Sequence, residues 1–373
     1  MSVKLSSPRI KVDDFQDAIE LYYEKGWTDG LPVIPPTEEQ IHKFLEFSHL
    51  APDQIIGEIP ERNRAITAEK LAINAIMAGC KKEYMPVLIA AVEGVCDPLF
   101  KFNHMASLGG PWPVMIVSGP VVKELEFNYG IWVMGPGWRP NSTVGRALSL
   151  LLWNCAEARP GALQRGAFGT PYRWNSCCIA ENPDDFGWES LGECLGYKNT
   201  DSIVTLVPTL SGQNQAYNFR AMPEEQLNSI ADALATTNFN RGTYVVLVGT
   251  QSVETFANNG WSRRSVRDWL FENTRRSVAD LKRKGRWGFS VTDFEGFAGE
   301  AQTILPGDES SFAYLFKKTE FDKYLWAEGM QVRDVPIDIY FVICGGDVAP
   351  YSVIISPYSY SSNAVTKLIE WPS

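Results

Sequence analysis

Residues 13–25 (DDFQDAIELYYEK) carry apolar side chains at Phe15, Ala18, Ile19, Leu21 and Tyr22. That spacing of three and four puts them on one face of a helix, and Gly26 follows where a helix C-terminus favours a residue that tolerates left-handed backbone. The pair Pro35-Pro36 forces an extended path. Thr37-Glu-Glu-Gln40 then has the spacing of a capping box, which predicts a helix running to about Ser48. Thr67 caps a second start for the segment AEKLAINAIMAGC, whose apolar residues lie nearly all round and so predict a buried helix. Another buried helix is expected to start near Pro86, since proline suits the first helical turn. β-Branched runs at 113–119, 202–207, 244–249 and 337–345 predict strands, and YRWNS at 172–176 reads as strand-like. Helical patterns at 223–235 and 262–276 fall between the later strands. Alternation of this kind predicts an α/β fold.

One stretch of the pattern recurs. With Gly119 aligned on Gly249, MIVSGPVVKELEFNYG (115–130) lies over VVLVGTQSVETFANNG (245–260), and both end in Asn-x-Gly. Each copy follows a predicted helix and precedes a tryptophan-bearing turn and another helix. The shared pattern asks for a strand ending in a sharp bend, then a helix closed by a left-handed glycine. Internal duplication and chance likeness between two βα units are both open readings. Under the first, the chain is two similar α/β halves packed together. They are 1–198, with a helical N-terminal region, and 199–373, and the cleft between them is the default site.

Composition narrows the chemistry. Across 373 residues, 34 Lys+Arg stand against 44 Asp+Glu, a formal charge of −10, which argues against nucleic acid as a partner. Seven cysteines, an odd number with no C-x-x-C pair, make neither a disulfide framework nor a structural zinc site. The N-terminus lacks the apolar core of a secretory signal. The apolar run 87–92 stops at Glu93, far short of the roughly 18 residues of a membrane span. A reduced, cytoplasmic protein without a membrane partner is the expectation. Twelve tryptophans beside three histidines favour shaped apolar pockets over a histidine-built metal centre. The signatures H-E-x-x-H, Walker A, G-x-S-x-G and G-x-G-x-x-G are all missing from the sequence, so no metal and no cofactor are expected.

Several residues remain as candidates. His104 lies in a small-residue loop leading into the 113–119 strand, where an imidazole serves as general acid or base; a loop histidine that pins its neighbours is the plainer reading. Cys80, beside Lys81 and Lys82 at a helix-to-helix corner, is the nucleophile candidate, with Glu83 in support. Against it, cysteine is commonly buried, and a helix C-terminus disfavours thiolate. The segment 137–146 (GWRPNSTVGR) offers a helix start at Asn141 or Ser142 with Arg139 and Arg146 to hold an anion, and Trp138 beside them; its plainer reading is a capped amphipathic helix with solvated arginines. Cys344 ends a predicted strand where a ligand could sit. Vicinal Cys177 and Cys178 read as structural. Four Gly-Trp pairs, at 26–27, 137–138, 187–188 and 260–261, read as pocket walls, subunit contacts or anchors of loops onto the core.

GWTDGLPVIPPT (26–37), AINAIMAGCKKEYMPV (72–87) and NSTVGRAL (141–148), with CGGD (344–347) and AVTKLI (364–369) near the C-terminus, resemble a poorly characterised bacterial family found beside or fused to UGSC-type selenoprotein-like domains. The resemblance spans nearly the whole chain. The Cys-Gly-Ser-Cys counterpart of the selenocysteine motif is missing, so the resemblance implies the companion half. It implies an enzyme or enzyme subunit acting on a small molecule. The expected activity is lyase- or hydrolase-type chemistry by Cys and His in the inter-half cleft, on a substrate that Arg139 and Arg146 suit if it is anionic. The alternative is a non-catalytic subunit of a thiol or selenol redox complex. A homo-oligomer, or a hetero-oligomer with a related subunit, fits either reading.

Overall fold

A computed structural model describes residues 4–107, 109–217, 222–237, 242–287, 303–321, 336–358 and 363–372. Along the chain they form α1 (Phe15–Glu24), α2 (Glu38–Phe47), β1 (Ile55–Ile59), β2 (Arg64–Thr67), α3 (Ala68–Ala78), α4 (Met85–Val95), β3 (Trp112–Ser118), α5 (Val121–Glu124), α6 (Arg139–Cys155), β4 (Ile179–Ala180), α7 (Leu191–Cys194) and β5 (Ile203–Tyr217). There follow α8 (Pro223–Thr236), β6 (Thr243–Val248), α9 (Thr250–Asn258), α10 (Arg263–Asn273), β7 (Arg275–Ser277), α11 (Val278–Arg283), β8 (Phe312–Tyr314), β9 (Asp338–Ile343), β10 (Tyr351–Pro357) and β11 (Val365–Leu368). The fold is α/β. Among the described residues no helix is long and apolar enough to cross a membrane.

The chain divides into two compact units. The first takes Met1–Asp184, Ser190–Ser211 and Ala364–Ser373; the second takes Asp185–Glu189 and Gly212–Asn363. In the first, β3 is buried along its whole length. It pairs in parallel with β4 and antiparallel with β5, from Trp112 opposite Thr209 to Ser118 opposite Ile203. β11 then pairs antiparallel with β5. β1 and β2 form a separate antiparallel pair. The helices follow local rules closely. The Thr37 capping box with Gln40 is formed. Thr67 caps α3, which is buried over most of its surface and ends at left-handed Gly79. Pro86 lies in the first turn of α4.

In the second unit β6 pairs in parallel with β9, from Thr243 opposite Asp338 to Val248 opposite Ile343, and antiparallel with β10. Tyr244, Val246, Phe256, Leu270 and Phe341 are among its core residues, and Trp188 stacks on Phe256 at 5.7 Å between centroids. β7 and β8 form a short antiparallel pair.

Both units place a central strand between a parallel neighbour and an antiparallel one, and the chain visits them in the same order. In the first unit the order is β3, α5, α6, β4, β5, with the single-turn α7 inserted before β5; in the second it is β6, α9, α10, β9, β10, with the β7–β8 region inserted before β9. The aligned segments differ in detail, however. Gly119 is left-handed (φ +94°), and a Cβ there would stand 2.2 Å from the Asp201 carbonyl oxygen, whereas Gly249 has φ −62°. α5 is a single turn followed by left-handed Glu126, while α9 is closed by left-handed Gly260. The bend-and-closure pattern expected in both copies is therefore split between them. YRWNS is likewise not a strand. Pro171 and the Thr170 hydroxyl, which accepts the Tyr172 N–H, set a 3-10 turn over Pro171–Arg173.

Candidate functional site

α6 organises the site, and it begins earlier than Asn141. Trp138 is its N-cap and Pro140 lies in its first turn. Proline can start a helix because its missing N–H would have no partner there. Asn141, buried inside that turn, has another task. Its Oδ1 accepts the Asn128 N–H at 2.8 Å, and its Nδ2 donates to the Asn128 carbonyl at 2.9 Å. This two-bond clamp ties the preceding loop to the helix and leaves the side chain nothing with which to cap it. Trp138 is exposed.

From there α6 gathers segments that are far apart in sequence. Arg139 Nε donates to the Gly79 carbonyl at 3.0 Å. The Cys80 thiol donates to the Thr143 carbonyl at 3.3 Å. Arg146 grips both oxygens of Asp29 at 2.9 Å each, and also donates to the Pro32 carbonyl at 2.9 Å. Trp153 Nε1 donates to the Gly26 carbonyl, and Asn154 Nδ2 to the carbonyl of Trp27 and to Asn74 Oδ1. Residues 26–37, 72–87 and 138–155 are thus one interlocked body. The Asp29–Arg146 pair is nearly out of water, with side chains 9% and 17% exposed. In such a setting a bidentate, charge-assisted pair fixes geometry strongly.

The sequence candidates fall into separate places. Cys80, Arg139 and Arg146 meet at α6. Burial pushes the Cys80 thiol up to about 12, against smaller lowering effects of its Thr143 hydrogen bond, Arg139 and Arg146. A thiol that donates to a carbonyl keeps its proton, so Cys80 here is a packed hydrogen-bond donor. Glu83 is half-buried on a 3-10 turn at Lys82–Tyr84. His104 is exposed on another at Phe102–Met105. Cys344 belongs to the second unit, buried just after β9, with its N–H donating to the Val248 carbonyl. Cys177 and Cys178 are buried as well.

Beside Asp29 is a cavity of about 180 Å³ walled by Trp112, Trp153 and Trp174, with Ser149 and Thr170. Trp112 is fully buried, and its Nε1 donates to both Ser149 Oγ and Ser176 Oγ at 3.2 Å. The two hydroxyls lie 2.9 Å apart. Indole faces suit the apolar side of a small ring or chain, and the carboxylate and hydroxyls suit its polar groups. Sequence reasoning missed Asp29, Trp112, Ser149, Trp153 and Trp174 as site residues. One signal was present: Arg146, Ser149 and Trp153 are spaced three and four apart, which lays them along one helix face.

A larger cavity of about 600 Å³ lies in the same unit, between the N-terminal segment and α1, α2 and α3. Among the described residues, no group of three or more His, Cys, Asp or Glu could hold a metal ion.

Fold and site together define an α/β protein with aromatic-walled cavities in its first unit. No protein-family model matches the chain, and no curated protein matches it.

Proposed function

We propose that the protein is an enzyme of small-molecule metabolism, of the lyase or hydrolase type, that holds its substrate in the tryptophan-walled cavity beside Asp29. The observation that carries this reading is the convergence of residues 26–37 and 72–87 on α6, whose Arg146 holds Asp29 in the wall of that cavity. Nε and Nη2 of Arg146 are engaged by Asp29 and by the Leu31 and Pro32 carbonyls, so the arginine orients the carboxylate. The substrate group facing Asp29 is therefore a donor, a hydroxyl or an amine. Asp29 accepts its hydrogen bond through Oδ2, which Arg146 Nε holds in place, and so positions it in the cavity. The reading places the enzyme in the cytoplasm as an oligomer.

A thermal-shift panel of small polyols, amino alcohols and hydroxy acids, followed by turnover assays on the stabilising compounds, tests it. Asp29→Asn is expected to lower turnover by about tenfold or more through loss of the charge-assisted contact, and Trp174→Ala to weaken binding. A compound turned over equally well by both variants would falsify the reading.

A second reading, a subunit that docks a thiol- or selenol-bearing partner, is favoured by one feature. Ile131 and Trp132 are 64% and 65% exposed, and Trp138 follows a few residues on. A homo-oligomer stable alone in solution favours the enzyme. A chain that is soluble only when co-expressed with a partner favours the subunit.

A further inference from the structure

The larger cavity of the first unit is unlike the tryptophan pocket in its polar groups. Its walls are mainly apolar, with Leu21, Ile73 and Met77 among them. Its carboxylates and amides are already engaged. Glu69, on the first turn of α3, accepts the Ser6 and Ser7 backbone N–H groups at 2.9 and 2.8 Å and the Ser6 hydroxyl at 2.8 Å. Glu38 pairs with Arg9. Asn74 and Asn154 bond to one another and to nearby carbonyls.

The groups left over are donors. The Tyr22 hydroxyl and the Trp27 indole N–H, whose rings meet edge to face at 5.6 Å, have no hydrogen-bond acceptor among the described residues. Lys70, an exposed residue, also lines the cavity and has no carboxylate partner there, and its charge reaches the Cys155 thiol on the same wall. An apolar chamber with spare donors and an unpaired ammonium is complementary to a ligand that brings acceptors, a negative charge and an apolar body.

We propose that this cavity is a binding site for a small organic monocarboxylate with an aliphatic or aromatic body, the carboxylate meeting Lys70 and the chain lying against α1 and α3. The site is separate from the tryptophan pocket, and its ligand has the opposite polarity at its recognised end. The N-terminal segment, whose Ser6 and Ser7 are held by Glu69, forms one wall.

Calorimetric titration of the full chain with decanoate, 1-decanol and decylammonium tests the proposal. Decanoate is expected to bind saturably, at one per chain, and at least about tenfold more tightly than decylammonium, the range a charge-assisted contact provides. Lys70→Met is expected to weaken decanoate by about tenfold while leaving decanol unchanged. Ile73→Trp, which fills the chamber, is expected to remove all three, with circular dichroism reporting an intact fold. Decylammonium binding as tightly as decanoate overturns the proposal, as does decanoate affinity untouched by either variant, or no saturable binding. None of these outcomes bears on Asp29, whose turnover assay stands or falls separately.

Discussion

Cys80 shows how much a residue's chemistry depends on what the fold brings to it. Read alone, a cysteine beside Lys81 and Lys82 invites a thiolate. In the structure, Thr143, 63 residues further on, supplies a carbonyl that takes the thiol proton, and burial outweighs the arginines, so the thiol is pushed up to about 12. At pH 8 such a group is almost wholly protonated and shielded. Iodoacetamide is therefore expected to alkylate exposed Cys194 quickly in the native protein and Cys80 only after unfolding, as read by peptide mass mapping. Equal rates at the two positions would contradict the buried assignment. Asp29 shows the converse. Its role rests on Arg146, which lies 117 positions away, so no local pattern around TDGLP could announce the pair.

Among the elements, those governed by neighbours in sequence were the legible ones. The Thr37–Gln40 box, the Thr67 cap and Pro86 each act within one helical turn, and each occurs where the sequence puts it. The long β-branched strands β3, β5, β6 and β9 were legible as well, and the shorter strands were harder to see. β11, a four-residue strand with a mixed pattern, exists through pairing with β5, whereas β10, absent from the expected strands, carries a strand signal in its own Val-Ile-Ile run. α3 was legible as buried, but a buried glutamate on it was not, because Glu69 owes its burial to the N-terminal segment. The backbone and side-chain donors of Ser6 and Ser7 outweigh the desolvation that opposes them and hold the Glu69 carboxyl below its ordinary value of 4.5. A depressed carboxyl stabilises the fold above its unfolded pKa and loses that contribution as pH falls through the folded value. Glu69→Ala is thus expected to cost about 1–3 kcal/mol at pH 7. The gap to wild type should narrow on going to pH 3, measured as the first denaturant transition. A gap that stays constant with pH would mean that Glu69 stabilises by packing alone.

For the molecule as a whole, the consequential feature is that neither unit is a continuous stretch of chain. The first unit is completed by Ser190–Ser211 and Ala364–Ser373, and the second borrows Asp185–Glu189, which brings Trp188 onto Phe256. β3 is buried on every residue and places Trp112 in the wall of the proposed site, yet its antiparallel partner β5 starts only at Ile203, and β11 lies at the far end of the chain. A polypeptide ending at residue 198 would therefore hold α6, Asp29 and the whole tryptophan pocket, but would leave one edge of β3 unpaired. An exposed apolar strand edge is both a missing set of hydrogen bonds and a template for aggregation. The fragment 1–198 is expected to aggregate, or to give no cooperative thermal transition by circular dichroism, although every residue of the pocket is present. If instead it melts cooperatively as a soluble species, the pocket is scaffolded by the helices alone, and the contribution assigned to β5 and β11 is wrong.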